Sequence, residues 1–495
     1  MSLLPSCLGY MDVTFAFVFI LLILIWIRSR RPTCYPPGPT PIPIIGNFHN
    51  FAKGDFCQTM REMRQCYGDI FTLSLGSFWV VVVNGKENLR ELLTKRGEIT
   101  SDRPPLFLVK VIQNLGIVFS SGHQWKTQRS FALSKLRDFG FGKNSFESRI
   151  MEEVEVFVRL LESYNEHPFD ISNIISVSTS NIVMSITVGR RFEYKDEKFK
   201  YFLDIVNKVA KDPALNGPLN FMPFLSKLPF DIFGGKRIAK QINDIKAFLQ
   251  SEIDGHEETI DKDNPRDFID VYLLELEAQK SNGKSDYTVE HLSSTLSDLF
   301  AAGSETTATT IRWAILYMTL NMEVQSKMFQ EIDDVVGSAR FPSLSDKPNL
   351  PYCEAVVLES LRIGNIVPFS LPHKVSEDIY FKGYTIPKDS IIVPSLDSVA
   401  FDDTVFEDSK SFKPERFIDT HGNLCGQDQI LTFSLGRRVC LGESLARMEL
   451  FLYLTSLVQR FQFVLPEGSD LPPLKGVLGL TYSPELYQVR AISRV

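Results

Sequence analysis

Residues 433–442 read Phe433-Ser434-Leu435-Gly436-Arg437-Arg438-Val439-Cys440-Leu441-Gly442, and the run Glu443 to Phe461 that follows is strongly apolar and helical in pattern. Two glycines bracket one cysteine at the mouth of a helix. Glycine adopts positive φ and permits close backbone approach, so a loop of this kind can turn its amides toward the Cys440 sulfur. The helix N-terminus just beyond adds positive partial charge, and both effects favour thiolate over thiol. A thiolate held in a dry pocket is a good axial ligand for haem iron. The other reading is a buried structural cysteine, the usual fate of a lone Cys.

Working outward from Cys440, Glu359-Ser360-Leu361-Arg362 places an acid and a base at i, i+3 on one helix face, where they can pair. Pro414-Glu415-Arg416-Phe417 supplies another arginine. Alone, each reads as a surface ion pair. Between Pro265 and Pro342 there is no proline, and Thr288 to Asn321 reads as one long helix containing Ala301-Ala302-Gly303-Ser304-Glu305-Thr306. A mid-helix glycine costs about 1 kcal/mol relative to alanine, so small residues here suggest that something packs against the backbone. Leu299, Gly303, Thr306 and Thr310 fall near one face, which leaves a hydroxyl beside an apolar groove. A plain helix-packing notch is the alternative.

Taken together in this order, these segments resemble the cytochrome P-450 family. The pattern F-x-x-G-x-R-x-C-x-G matches that family's haem-binding loop through Phe433, Gly436, Arg438, Cys440 and Gly442. The E-x-x-R segment and Arg416 look like its buried structural triad, Glu359, Arg362 and Arg416. Ala302 to Thr306 is similar to the A-G-x-E-T stretch in which a threonine hydroxyl holds a water that delivers protons to dioxygen. The resemblance gives Thr306 that role and makes Glu305 the neighbouring acid. It also puts Trp125, Arg129, His373 and Arg438 at the positions used for the two haem propionates, which at the edge of an apolar pocket need cationic partners. Asp267 to Glu275 and Leu350-Pro351-Tyr352 look like the animal microsomal family-two branch, which oxidises foreign lipophilic compounds and fatty acids. Two departures stand out: Ser130 replaces a frequent arginine, and Phe401-Asp402-Asp403 with Phe406 replaces a histidine-arginine-aspartate-proline stretch followed by tryptophan. Both bear on propionate contacts and local packing rather than on reaction class.

Composition agrees with this reading. Across 495 residues, 53 Lys+Arg stand against 60 Asp+Glu, a formal charge of −7, which argues against a nucleic-acid binder. Length alone suggests roughly three domains, yet no linker, charge block or repeat divides the interior, so one large aromatic-rich domain with 38 phenylalanines is expected. Seven scattered cysteines without a CxxC pair suggest a reducing compartment. Val13 to Ile27 (VTFAFVFILLILIWI) is fifteen residues without a charge. As a helix it spans about 22 Å against a hydrocarbon core of about 30 Å. Its length also fits a cleaved secretory segment. The basic cluster Arg28, Arg30 and Arg31 follows it, however, which by the positive-inside rule makes residues 1–31 a signal anchor with the body cytosolic on the endoplasmic reticulum membrane. Residues 32–46 form a stiff, extended proline-rich spacer, and residues 47–495 the haem-thiolate domain.

The expected fold is mainly α with a small β portion: a hairpin across Thr72 to Asn84, and short strands from Ile379 onward before helix returns at Glu443. As the resemblance implies it, this is a single large domain with haem b buried between the Thr306 helix and the Cys440 loop. The implied reaction is a monooxygenation in which one oxygen atom of O2 enters a C–H or C=C bond of a xenobiotic, fatty acid or steroid. No G-x-G-x-x-G fingerprint is visible, so NADPH electrons are expected through a separate flavoprotein reductase, with cytochrome b5 as a second donor. The basic stretch Lys126, Arg129, Lys135, Arg137, Lys143 is either a docking patch for an acidic donor or a solvated helix face. Expected pocket walls include Phe107, Phe221, Leu299, Phe369 and Leu480, although aromatics at such spacing are often ordinary core. Two rival functions stay open: a reductase-independent haem-thiolate isomerase or dehydratase, and a non-catalytic haem carrier or sensor.

Overall fold

The computed structural model describes residues 29–52, 55–140, 146–215, 217–281 and 286–494. The apolar run Val13 to Ile27 and Arg28 of the expected anchor, and Lys143 of the basic stretch, lie outside the described residues. Among the described residues no helix is long and apolar enough to cross a membrane.

Among the described residues, the eleven longer α-helices carry the architecture: α1 (Phe56–Tyr67), α2 (Gly122–Asp138), α3 (Glu147–Glu162), α4 (Ile171–Thr187), α5 (Glu197–Ala210), α6 (Gly235–Thr259), α7 (Phe268–Ser281), α8 (Val289–Leu320), α9 (Met322–Val335), α10 (Pro351–Gly364) and α11 (Glu443–Arg460). The longest, α8, starts and stops where its caps dictate. Thr288 has extended φ/ψ and its hydroxyl accepts from the His291 amide, while Asn321 leaves the helical region at the other end. Almost every residue from Thr307 to Thr319 is buried, so α8 is a central strut rather than an amphipathic surface helix. It packs along α4 and also against α6, α10 and α11. A Cβ at Gly303 would lie 2.7 Å from Val183 Cγ2 on α4, which accounts for glycine in mid-helix.

The β portion is small. Strands β1 (Ile70–Leu75) and β2 (Phe78–Val83) form the expected antiparallel hairpin, pairing Ile70 with Val83. In the four-stranded sheet the order is β1-β2-β6-β3, with β6 (Ile391–Pro394) parallel to β2 and β3 (His373–Lys374) antiparallel to β6. Three two-stranded ribbons complete the fold: β4 (Ile379–Phe381) with β5 (Tyr384–Ile386), β7 (Phe461–Val464) with β10 (Arg490–Ser493), and β8 (Gly476–Leu478) with β9 (Tyr482–Pro484). One large core cluster runs through α2 to α11, and a second lies under the sheet around Val81, Val83 and Ile392.

Candidate active site

The Cys440 loop is shaped by a glycine that nothing else could replace. Gly436 has φ of +75°, and a Cβ there would fall 1.8 Å from the Leu93 carbonyl oxygen. The Cys440 amide donates to Phe433 O at 2.9 Å, and Val439 N donates to Gly436 O at 3.1 Å, so the loop closes on itself. It ends at Gly442, the N-cap of α11, and the Gly442 and Glu443 amides donate to the Cys440 sulfur. Burial, with the Glu443 carboxylate adding to it, pushes this thiol up on balance, while the amides and the Arg129 guanidinium pull against that. Cys440 is enclosed by protein, yet its side chain has an open surface, because that surface faces an internal cavity.

The cavity measures about 350 Å³ and is overwhelmingly apolar. Leu299, Ala302, Gly303 and Thr306 of α8 form one wall; Phe433, Cys440 and Gly442 form the opposite one; Leu480 and Val367 contribute to the side. Thr306 Oγ1 donates to Ala302 O at 2.5 Å, which leaves its lone pairs on the open side. Glu305 does not line the cavity. It is buried behind α8, where its Oε1 accepts from Thr309 at 3.2 Å and Thr481 at 3.3 Å.

At one edge, cations gather with little to balance them. Arg103, Arg129, His373 and Arg438 all border the cavity. Arg438 stacks over the Trp125 ring at 3.8 Å and donates to the carbonyls of Ser101, Ile117 and Ser120, while Arg103 donates to Val118, Leu371 and Pro372. Burial pushes Arg438 down to about 8, with Arg103 and Arg129 adding repulsion, and takes Arg103 to about 9. Burial and the same two arginines, Arg103 and Arg438, drive His373 down to about 3. Its Nδ1 bonds Thr100 O at 2.6 Å, and the buried Trp125 Nε1 has no partner among the described residues. The one acid on the cavity wall near them, Asp298, is engaged by the amides of Ile117 and Val118 at 2.6 and 2.9 Å. Clustered buried cations and an orphaned N–H are what a ligand bearing carboxylates would satisfy.

Behind the cavity, Glu359 is fully buried and accepts from Arg362 Nε and Nη2, both at 2.7 Å, from the Lys413 amide at 2.8 Å and from Arg416 Nε at 3.2 Å. Phe406, where the resemblance leads one to expect tryptophan, lies within 5.1 Å of the Arg362 guanidinium and 6.0 Å of that of Arg416, so the replacement keeps an aromatic face on both cations.

Of the residues expected from sequence, Cys440, Thr306, Ala302, Phe433, Gly442, Arg129, His373, Arg438, Leu299 and Leu480 border the cavity. Trp125 reaches it through Arg438. Phe107, Phe221 and Phe369 are not among the residues bordering it. Phe107 belongs to a separate cluster with Leu219 and Ile238, Phe221 meets Phe48, and Phe369 meets Phe56 edge-on. They stand on the expected segments, but their side chains turn into satellite cores. Reading the sequence missed Arg103, which carries no motif and shows itself only by burial. It also missed Glu449 on α11, a buried carboxyl bordering the cavity whose burial pushes it up to about 8.

A buried cysteine that receives amide hydrogen bonds, faces an apolar chamber, and sits below a hydroxyl-bearing helix with cations at one edge defines a haem-thiolate oxygen-activating enzyme. The comparisons agree: the Cytochrome P450 family model matches residues 36–491. The chain is 39% identical to Cytochrome P450 2U1 of Homo sapiens over 95% of this chain and 91% of that protein. It is 39% identical to Cytochrome P450 2C25 of Mesocricetus auratus (97% and 99%), and 40% identical to Cytochrome P450 2C55 of Rattus norvegicus (96% and 97%). The chain belongs to the cytochrome P450 family and is a family-two-like P450 monooxygenase, with haem ligated by a cysteine thiolate as its cofactor.

Proposed function

We propose that this protein is a membrane-bound monooxygenase of lipophilic organic substrates, with Cys440 as the axial ligand, and that it takes NADPH electrons from a separate flavoprotein reductase, with cytochrome b5 as a second donor. The observation that carries the reading is the pairing of Cys440 with the α8 groove across one apolar cavity. When bound, the haem supplies dioxygen activation. Everything else is the work of the chain's own side chains.

Gly436 and Gly442 let the loop present the sulfur with its amides aimed at it, which stabilises the thiolate against the pull of burial. Arg103, Arg129, Arg438 and the Trp125 N–H supply donors for the two propionates, and an anion among them relieves their mutual repulsion. The Glu359 triad fixes α10 against the segment Ser409 to Arg416 and so supports the floor of the site. Leu299, Val367 and Leu480 exclude water and orient an apolar substrate. Thr306 holds a water at Oγ1 because its own proton is committed to Ala302 O, and the proton delivered there comes through that water. The anchor at residues 1–31 and the basic side chains Lys126 and Arg137, both exposed on α2, fit a body held at the endoplasmic reticulum membrane that receives an acidic donor.

Reconstitution with reductase and NADPH against fatty acids, steroids and small lipophiles, under ¹⁸O-labelled dioxygen, tests the reading. One labelled oxygen per product is expected. Turnover of a lipid hydroperoxide without NADPH, with none under NADPH and reductase, would mark an isomerase, and haem binding without product would mark a carrier.

A further inference from the structure

Glu305 is the acid that the reaction needs near Thr306, yet it points away from the cavity into a cluster of buried hydroxyls. Thr309 on α8 and Thr481 between β8 and β9 both donate to Glu305 Oε1. Ser483 joins the cluster, 3.0 Å from Thr481 Oγ1 and 3.4 Å from Thr309 Oγ1. Glu305, Thr309, Thr481 and Ser483 are at most 9% exposed, so each hydrogen bond acts in a medium of low dielectric, where losing it is not made good by water.

The second observation concerns where Thr481 sits. It borders the cavity together with its neighbour Leu480, so one two-residue segment touches both the substrate space and the acid. That segment is tied to its surroundings on two sides. Leu480 N donates to Ala210 O at the end of α5, and Tyr482 N donates to Ile366 O. On the far side, Trp313 Nε1 donates to Tyr482 O and Arg312 Nη2 donates to Pro484 O, which fixes β9 to α8. β9 is therefore anchored to α8, while the turn carrying Leu480 and Thr481 is tied to the end of α5 by one backbone bond and borders the cavity.

We infer that Thr481 is a positioning residue that parks Glu305 away from the cavity, and that a substrate pressing on the Leu480–Thr481 turn releases the acid toward Thr306, so that proton delivery is linked to occupancy. The inference rests on the monooxygenase reading and adds a control to it. With the Thr481 hydroxyl removed, Thr309 still donates to Glu305 Oε1 at rest, so the carboxylate is loosened without being stripped of every partner.

The test uses the full-chain holoenzyme, reconstituted with reductase, and compares wild type, Thr481→Val, Thr481→Ser and the same substitutions on a Glu305→Gln background. Thr481→Val is expected to raise substrate-free NADPH oxidation about threefold to tenfold, the range of loosening one buried hydrogen bond of about 1 kcal/mol. The stimulation by substrate should shrink in step. Thr481→Ser, which keeps the hydroxyl, should restore the wild-type ratio, and on the Glu305→Gln background Thr481→Val should change nothing. An independent readout is thermal unfolding, in which the Thr481→Val and Glu305→Gln effects should be non-additive. A Thr481→Val ratio equal to wild type overturns the inference. So does an effect that persists with Glu305→Gln, or one that Thr481→Ser shares, because either marks packing alone. If wild type itself forms no oxygenated product, the monooxygenase reading fails first, while additive unfolding effects would refute the Thr481–Glu305 link independently.

Discussion

Replacing Glu359 by glutamine keeps the shape of the side chain and removes its charge. In the native structure that carboxylate takes four hydrogen bonds at 2.7 to 3.2 Å, three of them from the Arg362 and Arg416 guanidiniums. Arg362 is 1% exposed and pairs with no other acid among the described residues; its remaining donors go to the carbonyls of Ala400, Ser409 and Ser411. Glutamine keeps a single acceptor oxygen and, in either orientation, turns an N–H2 toward a guanidinium. Breaking a buried pair from one side costs about 3–5 kcal/mol. For a domain of about 450 residues at ~2.1 cal/mol/K per residue, the unfolding entropy is roughly 0.9 kcal/mol/K, so about 4 kcal/mol lowers Tm by roughly 4 °C. The assay is thermal unfolding of the haem-loaded protein, read beside haem content after purification, which should fall as the floor of the site loosens. The control is Glu197→Gln at the exposed Lys200–Glu197 pair, 46% and 87% accessible, where less than about 1 kcal/mol is at stake. A Glu359→Gln protein with full haem content and a Tm within about 1 °C of wild type would refute the account of the triad.

Other expectations follow from single side chains. Gly436→Ala drives a methyl into the Leu93 carbonyl at positive φ, so the protein should fold with most of its helix content, read by circular dichroism, but retain little haem. Thr306→Ala removes the hydroxyl to which we assign the proton-delivering water and should raise the fraction of NADPH electrons recovered as peroxide about tenfold or more; unchanged coupling removes its role. Glu449 is a buried acid pushed from 4.5 to about 8, so the native state binds a proton that the unfolded chain releases across that window. Stability should therefore fall with rising pH between about 4.5 and 8, with a slope of up to about 1.4 kcal/mol per pH unit from this group. Glu449→Gln should remove that slope, and identical pH profiles in thermal unfolding would show that Glu449 is ionised throughout.

The parts of the fold fixed by local chemistry were legible in the chain. Thr288 and Asn321 bound α8 because one can cap and the other can leave the helical region. The alternation of Thr72 to Asn84 about Gly76-Ser77 gives the β1–β2 hairpin, and Glu443 begins α11 because Gly442 ends the loop. The Cys440 loop was legible because its glycines serve a geometry that spacing alone expresses. What escaped reading depends on contacts between distant segments. Arg103 joins the cationic edge only because its segment meets Leu371 and Pro372, Glu305 turns away only because the β8–β9 turn comes beside α8, and Phe107, Phe221 and Phe369 each found a nearer apolar partner than the cavity. A residue's segment could be read from sequence, but the direction of its side chain could not.

The claim on which the rest depends is that the Cys440 thiolate holds the haem. It is tested most directly by the absorption spectrum of the reduced carbon-monoxide complex of the purified full chain, wild type against Cys440→Ala. The account predicts a thiolate-type Soret band in the wild type and its complete loss in the variant, whereas a thiolate-type band that persists in Cys440→Ala would contradict it.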